Sequence, residues 1–269
     1  MNHRATQLLL GLALVGGVSC IDMSAPTGGP ASVSTLQVPA LFVVRGDVMR
    51  DTAGTPAPLS IVAYDQNGDT MSGVKAQFFI TDTGKIAQIG PDNIVSAFDT
   101  TGLIHVIGQV GGTQTPPVTV YVTEAPASIN SAIAASDTIK VTAAADTTVG
   151  RGKQSARATV LAADRKTTVA GVRVHFSIAY TPDTNATTAK APRAVYLVDD
   201  NGKLSSLDTA DGSGAVGRTV VVIASRLADQ ALVSGAKTDS VVVLATATYR
   251  GRQLGPVALK LPLKVGFSF

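Results

Sequence analysis

Gly73-Val-Lys-Ala-Gln-Phe-Phe-Ile80 and Gly171-Val-Arg-Val-His-Phe-Ser-Ile178 are one pattern written twice in a chain of 269 residues. In the first copy Val74, Ala76, Phe78 and Ile80 alternate with Lys75, Gln77 and Phe79. In the second, Val172, Val174, Phe176 and Ile178 alternate with Arg173, His175 and Ser177. A period of two sends successive side chains to opposite faces, so each copy predicts a strand with one buried and one wet face. Phe79 is the exception, an apolar residue on the face that should be wet.

Each copy follows another apolar run: Leu59-Ser-Ile-Val-Ala-Tyr-Asp65 in the first half and Ala158-Thr-Val-Leu-Ala-Ala-Asp164 in the second. An aspartate opens each polar connection. Later, Phe98-Asp99-Thr100-Thr101-Gly102 is echoed by Leu207-Asp208-Thr209-Ala210-Asp211-Gly212. Each echo precedes an apolar run, Leu103 to Val110 and Ala215 to Ala224, so the same order of elements is expected twice. Closing strands are expected at Val118 to Val122, Val241 to Tyr249 and Val257 to Val265. Asn67-Gly68, Asn201-Gly202 and Gly111-Gly112 can take the positive φ of tight hairpins. Pro116-Pro117 should sit at a strand's start, because proline gives a ladder no donor. Helical periodicity is nearly absent; a short turn around Arg226 to Leu232 is the one candidate.

Many short strands separated by turn signals predict an all-β chain of tandem antiparallel β-sandwiches. The first would span residues 35–125 and the second 128–269, joined at Ala125-Pro126-Ala127-Ser128. The second is longer, with its extra length between Tyr180 and Val195 and between Ser225 and Ser240. The last segment, Leu259 to Phe269, reads as an edge strand, with Lys260 and Lys264 discouraging further pairing and Pro262 interrupting it.

These residues resemble bacterial immunoglobulin-like domains of the kind found in invasin and intimin. The resemblance rests on Asp65-x-Asn67-Gly68 leading to Gly73-Val74-x-Ala76-x-Phe78, on Asp99-Thr100-x-Gly102, and on their counterparts from Asp164 through Gly212. The second copy lacks an Asn-Gly turn after Asp164 and its later turn is one residue longer. The resemblance implies immunoglobulin-like sandwiches serving as spacers, adhesin stalks or binding modules.

Residues 1–19 have a short charged head with Arg4, an apolar body from Leu8 to Val15, and the small residues Gly16 to Ser19. That is the layout of a secretory signal. It resembles a bacterial lipoprotein signal, which implies a diacylglycerol on Cys20, the chain's single cysteine. Gly17 stands where that family prefers Leu. The apolar run falls short of the ~20 residues a spanning helix needs. Residues 20–34, rich in Ser, Pro and Gly, would be a lipidated flexible tether. Ile21 in place of Asp leans the expected destination to the outer membrane or cell surface.

Hydrophobic residues make up 45% of the chain, enough for a core, while charged residues make up only 15%. The net charge of +3 includes Arg4 of the leader, and with no basic cluster there is no case for nucleic acid. No phosphate loop, serine elbow or cofactor motif appears, so no catalytic, cofactor or metal residues are assigned and no enzyme is expected. Beyond the leader, His105 and His175 have no Cys, His or carboxylate at ligand spacing. Arg45-Gly46-Asp47 matches an integrin-recognition tripeptide, but a turn after the Leu41 to Val44 strand, where Gly supplies the geometry, is the favoured reading. Asp65-x-Asn67-x-Asp69 opens like a calcium loop, but Thr70 and Ala76 stand where Gly and Glu are required, which favours a polar hairpin. Asp199-Asp200-Asn201-Gly202 is also a turn candidate. A sugar platform would have to use the five tyrosines, of which Tyr180 and Tyr196 flank one loop, since tryptophan is absent.

The expected function is a non-enzymatic envelope lipoprotein acting as a surface spacer or a protein-interaction and adhesion module. A periplasm-facing accessory subunit or a glycan-binding lipoprotein is the alternative; the membrane is the expected partner through the anchor, with a protein or glycan partner unidentified. Cys20→Ser should leave the protein in the soluble fraction of lysed cells. Retention of the substituted chain with membranes through detergent partition would remove the anchor.

Overall fold

The computed structural model describes residues 34–65, 67–144, 150–182, 194–224, 227 and 238–268. Cys20, the tether up to residue 33, most of both long loops of the second half, and the helical candidate at 226–232 apart from Leu227 lie outside the described residues. Among the described residues there is no α-helix, and the chain folds as tandem immunoglobulin-like β-sandwiches.

The first sandwich is built from β1 (Ser34–Gln37), β2 (Phe42–Val44), β3 (Ser60–Tyr64), β4 (Thr70–Met71), β5 (Ala76–Ile80), β6 (Ala87–Ile89), β7 (Val95–Ala97), β8 (Gly102–Val110), β9 (Thr113–Gln114) and β10 (Val118–Thr123). One sheet has the order β1-β3-β4 and the other β2-β10-β8-β5, with β6 and β7 as a separate hairpin. The second sandwich holds β11 (Ser128–Ser131), β12 (Ile139–Ala144), β13 (Arg151–Leu161), β14 (Arg173–Tyr180), β15 (Val195–Val198), β16 (Leu207–Thr209), β17 (Ala215–Ile223), β18 (Asp239–Tyr249) and β19 (Arg252–Ser268). Its sheets run β11-β13-β17-β15 and β12-β19-β18-β14-β16.

The repeated pattern behaves as its alternation requires. On β14, Val174 and Phe176 are fully buried while His175 is exposed. On β5, Phe78 and Ile80 turn inward and Gln77 and Phe79 outward, so Phe79 does stand in water. Each sandwich has its own core. Met49, Val95, Ile104, Val106 and Val120 lie at the centre of the first, and Phe176, Leu259, Leu261 and Leu263 at that of the second.

Most strand pairs are antiparallel, as expected, and two are not: β2 runs parallel to β10 and β12 parallel to β19. In each sandwich the first segment therefore splits, one half on each sheet. Pro39, between β1 and β2, helps that crossing by withholding a ladder donor.

The last segment is not an edge. β19 lies between β12 and β18, with Lys260 and Lys264 on its solvent face rather than along an open edge. Pro262 is tolerated because the parallel register with β12 begins one residue later, at Leu263.

The second echo does not mark equivalent strands. β8 pairs with β5 and β10, whereas β17 pairs with β13 and β15 on the opposite sheet. By its partners the counterpart of β8 is β18, between β14 and β19. The echoed residues differ even locally, since Asp208 and Thr209 lie within β16 and the turn before β17 is Asp211 to Gly214, so the phrase carries no information about which sheet the next strand joins.

Aspartate side chains organise the turns. Asp65 Oδ1 accepts the amides of Asn67 at 2.8 Å and Asp69 at 2.9 Å. Asp199 does the same for Asn201 and Lys203, and Asp211 for Ser213 and Ala215. Asp164 caps Lys166 and Thr167 and takes the Thr167 hydroxyl at 2.6 Å. These are Asx-turns, with the carboxylate replacing a backbone acceptor. After Asp211 the left-handed residue is Gly214, φ +73°, rather than Gly212.

Those bonds set the acid sensitivity. The Thr167 hydroxyl and neighbouring amides hold the Asp164 carboxyl below the usual range, and Ser213 does so for Asp211. A depressed folded pKa means the stabilisation is complete above the unfolded value, about 3.9, and is lost as pH falls through the folded one. In thermal melts from about pH 5 to about pH 2, Asp164→Asn should flatten the acid limb. An unchanged limb would show that this turn is not linked to stability. In the core, Phe176→Ala should destabilise by about 3–5 kcal/mol, and Phe79→Ser by less than about 0.5 kcal/mol, in denaturant titrations.

Candidate functional site

Several side chains bond across the place where the two sandwiches meet. β2 ends at Val44, whose side chain belongs to the core of the second sandwich rather than the first. Beside it, Gly171 opens the β14 pattern with φ +79°. A Cβ there would lie 3.0 Å from the Phe42 Cβ and 3.1 Å from the Phe42 carbonyl oxygen. Glycine thus allows the two backbones to approach and also adopts the left-handed conformation without strain.

Polar contacts surround this apolar centre. The Tyr249 hydroxyl donates to the Arg45 carbonyl at 2.7 Å, and Arg250 donates through Nη2 to the Gly46 carbonyl at 3.0 Å. The Thr123 hydroxyl donates to the Ala170 carbonyl at 2.9 Å. Arg173 Nη1 donates to the Thr52 carbonyl at 3.1 Å, and Arg252 Nη2 to the Pro126 carbonyl at 3.1 Å. The β18–β19 turn of the second sandwich thereby clasps the β2–β3 segment of the first. Burial pushes the Tyr249 phenol up, and burial pulls the Arg173 guanidinium down, opposed by Asp51 and reinforced by Arg50.

Arg45-Gly46-Asp47 is this clasped segment. It is a turn: the Asp47 amide donates to the Val44 carbonyl at 3.0 Å and Gly46 has φ +68°. Arg45 Nη1 lies 3.2 Å from Glu124, and Asp47 Oδ1 accepts from Arg50 Nη2 at 3.1 Å. A Cβ on Gly46 would fall 1.3 Å from Arg250 Nη2, so the glycine makes room for the clasp. The geometry is that of the turn alternative, with both carbonyls of Arg45 and Gly46 taken up by the second sandwich.

The other sequence candidates do not come together. His105 Nδ1 is 3.0 Å from Asp82, a carboxylate 23 positions away that spacing did not suggest. The His105 amide and then its ring hold the Asp82 carboxyl below its usual range. His175 lies exposed on β14, at the recess that Tyr196 also lines. Tyr180 bonds the Asp239 carboxylate at 3.0 Å, whereas Tyr196 lines a separate open recess of about 910 Å³ with Ile178 and Leu204. Among the described residues no group of three or more His, Cys, Asp or Glu is placed to hold a metal ion. Among them, too, no helix is long and apolar enough to cross a membrane.

Sequence reading missed Arg50, Arg173, Tyr249 and Arg250 as joint residues, and it missed two buried charges. Arg218, on β17, pairs with Asp208 of β16 at 2.9 Å and so ties the second sandwich's two sheets together. Asp137 accepts the Ala134 amide at 2.8 Å, Gln154 at 3.0 Å and Arg157 at 3.2 Å.

No protein-family model and no curated protein matches the chain. Among solved structures, it is distantly similar to the Yersinia pseudotuberculosis adhesin InvE, at 14% identity and TM-score 0.31, covering 86% of this chain and 58% of that one. It is similar to domains 4 and 5 of the S-layer protein SbsC, at 15% identity and TM-score 0.32, covering 87% and 98%. A third is the Escherichia coli adhesin FdeC, at 16% identity and TM-score 0.31, covering 87% and 64%. The chain thus spans 58% of the adhesin InvE chain. These likenesses are distant.

Tyr249→Phe should remove one joint bond and lower the stability of the sandwich pair by about 0.5–1.5 kcal/mol in denaturant unfolding. Limited proteolysis should at the same time cut faster near Pro126. Unchanged cleavage and unchanged stability together would mean the hydroxyl contributes nothing to the joint.

Proposed function

We propose that this chain is a non-enzymatic cell-envelope lipoprotein. It acts as a stiff surface spacer, holding the loops of its second sandwich away from an anchor at Cys20. The joint is the observation that carries the reading. Two sandwiches on a plain linker would reorient freely, since interfaces between domains are by default mobile unless well packed. Here Val44 of the first sandwich packs into the core of the second, and Thr123, Arg173, Tyr249 and Arg250 each bond across the contact while Arg252 bonds the linker at Pro126. Such a joint fixes one orientation, which is what a stalk must do and a free hinge cannot.

The Arg45-Gly46-Asp47 turn belongs in this reading to the joint. Contacts with a protein partner would be made by the second sandwich, farthest along the chain from the anchor.

Stiffness is directly measurable. With Cys20→Ser as background, spin labels on Lys75→Cys and Asn201→Cys, both exposed, should give one narrow distance distribution. Adding Arg250→Ala should broaden it. A broad distribution in the otherwise unsubstituted chain would end the spacer reading. Surface placement is read separately: protease added to intact cells should remove the second sandwich, and full protection would place the protein inward-facing.

A further inference from the structure

We propose that the cleft at the joint is a binding site for a tetrahedral oxyanion, phosphate or sulfate, held between the two sandwiches. The inference deepens the spacer reading only in taking the joint as persistent. The cleft has a volume of about 390 Å³, and its walls include Asp47, Arg50, Gly54, Arg173, Tyr249 and Arg250. Three guanidinium groups thus line it with one carboxylate, and Asp51 and Asp99 lie 3.9 Å from Arg173 and Arg250 at its rim.

The arginines are positioned mainly by uncharged oxygens. Arg50 donates through Nη1 to the Gly54 carbonyl at 2.9 Å, and only its Nη2 meets a carboxylate at hydrogen-bond distance, Asp47 at 3.1 Å. Arg173 donates to the Thr52 carbonyl, with Asp51 no closer than 3.9 Å. Arg250 donates to the Gly46 carbonyl, with Asp99 at 3.9 Å. A carbonyl orients a guanidinium without neutralising it. Each guanidinium carries five N–H donors, and Arg173 and Arg250 use few of them here. Planar guanidinium forks held in fixed positions are the side chains best suited to a phosphate or sulfate edge.

The surroundings keep the cleft open. Gly54, φ +95°, lies against Arg173: a Cβ there would approach Nη1 to 2.8 Å and displace it. Gly251, φ +75°, faces open space on the opposite wall. A second recess of about 290 Å³ shares Asp47, Arg50 and Arg173, so the two cationic groups from different sandwiches are reached from both sides. Arg50 comes from the first sandwich and Arg173 and Arg250 from the second. A bound oxyanion would therefore bridge them and tighten the joint.

Isothermal titration of the purified full chain with sodium phosphate, at constant ionic strength set by sodium chloride, tests the site. Saturable one-to-one heat is expected. Arg50→Gln and Arg173→Gln should each weaken it roughly tenfold, the loss of one charge-assisted partner. Arg157→Gln, which is remote from the cleft, should leave it unchanged. No saturable heat in the unsubstituted chain, or heat retained in both cleft variants, would overturn the proposal. Because the two variants lie on different sandwiches, misfolding of one, visible by circular dichroism, leaves the other as the test. Competition by dextran sulfate would assign the recognised group to a polymer. Phosphate heat without that competition would assign it to the free ion, and either result supports the site. Spin-label distances taken without phosphate report on the spacer reading alone, so the two can fail separately.

Discussion

Each sandwich is closed by its own first segment, which leaves one sheet and pairs in parallel with the last strand of the other. β2 lies on β10 in the register Tyr121↔Phe42, Val122↔Val43 and Thr123↔Val44, and β12 lies on β19 from Ile139↔Leu263 onward. Parallel ladders between neighbouring segments need a long connection. Here almost the whole domain is that connection. The joint depends on this closure. The register delivers Val44 and Thr123 side by side at the end of the first sandwich. From there Val44 enters the second core and Thr123 reaches the Ala170 carbonyl.

The second sandwich answers with two features at its near end. One is Gly171, the first residue of the repeated pattern, which lets the backbone of Phe42 approach. The other is the turn between β18 and β19, which brings Tyr249, Arg250 and Arg252 to the contact. An apolar plug ringed by hydrogen bonds resists both sliding and bending. Removing any one bond forfeits little, but a different orientation would break several bonds of half-buried groups at once, with the buried Ala170 and Pro126 carbonyls among them.

The candidate site was scarcely legible in the sequence, and the reason is distance along the chain. Arg50, Arg173 and Arg250 are separated by more than a hundred and by almost eighty positions, each in an ordinary polar setting. Nothing local distinguishes Arg250 from Arg165, which caps an exposed turn. Arg45-Gly46-Asp47 shows the opposite case, a tripeptide conspicuous in sequence that resolves into a turn. His105 and Asp82 likewise meet only because β8 and the segment after β5 are neighbours in the sheet.

The all-β class, the two repeated strands, the inward and outward faces of β5 and β14, the exposed Phe79 and the aspartate-led turns were all determined by sequence alone. They depend on alternation and on turn chemistry, which act within a few residues. Tertiary structure alone decided that β17 and β8 are not equivalents, that β19 is an interior strand despite Pro262, and that Val44 belongs to the neighbouring core. Those outcomes turn on which edge a strand finds and which surface a side chain reaches. Pairing energies depend on partners far away in the chain, and no local pattern of residues records them.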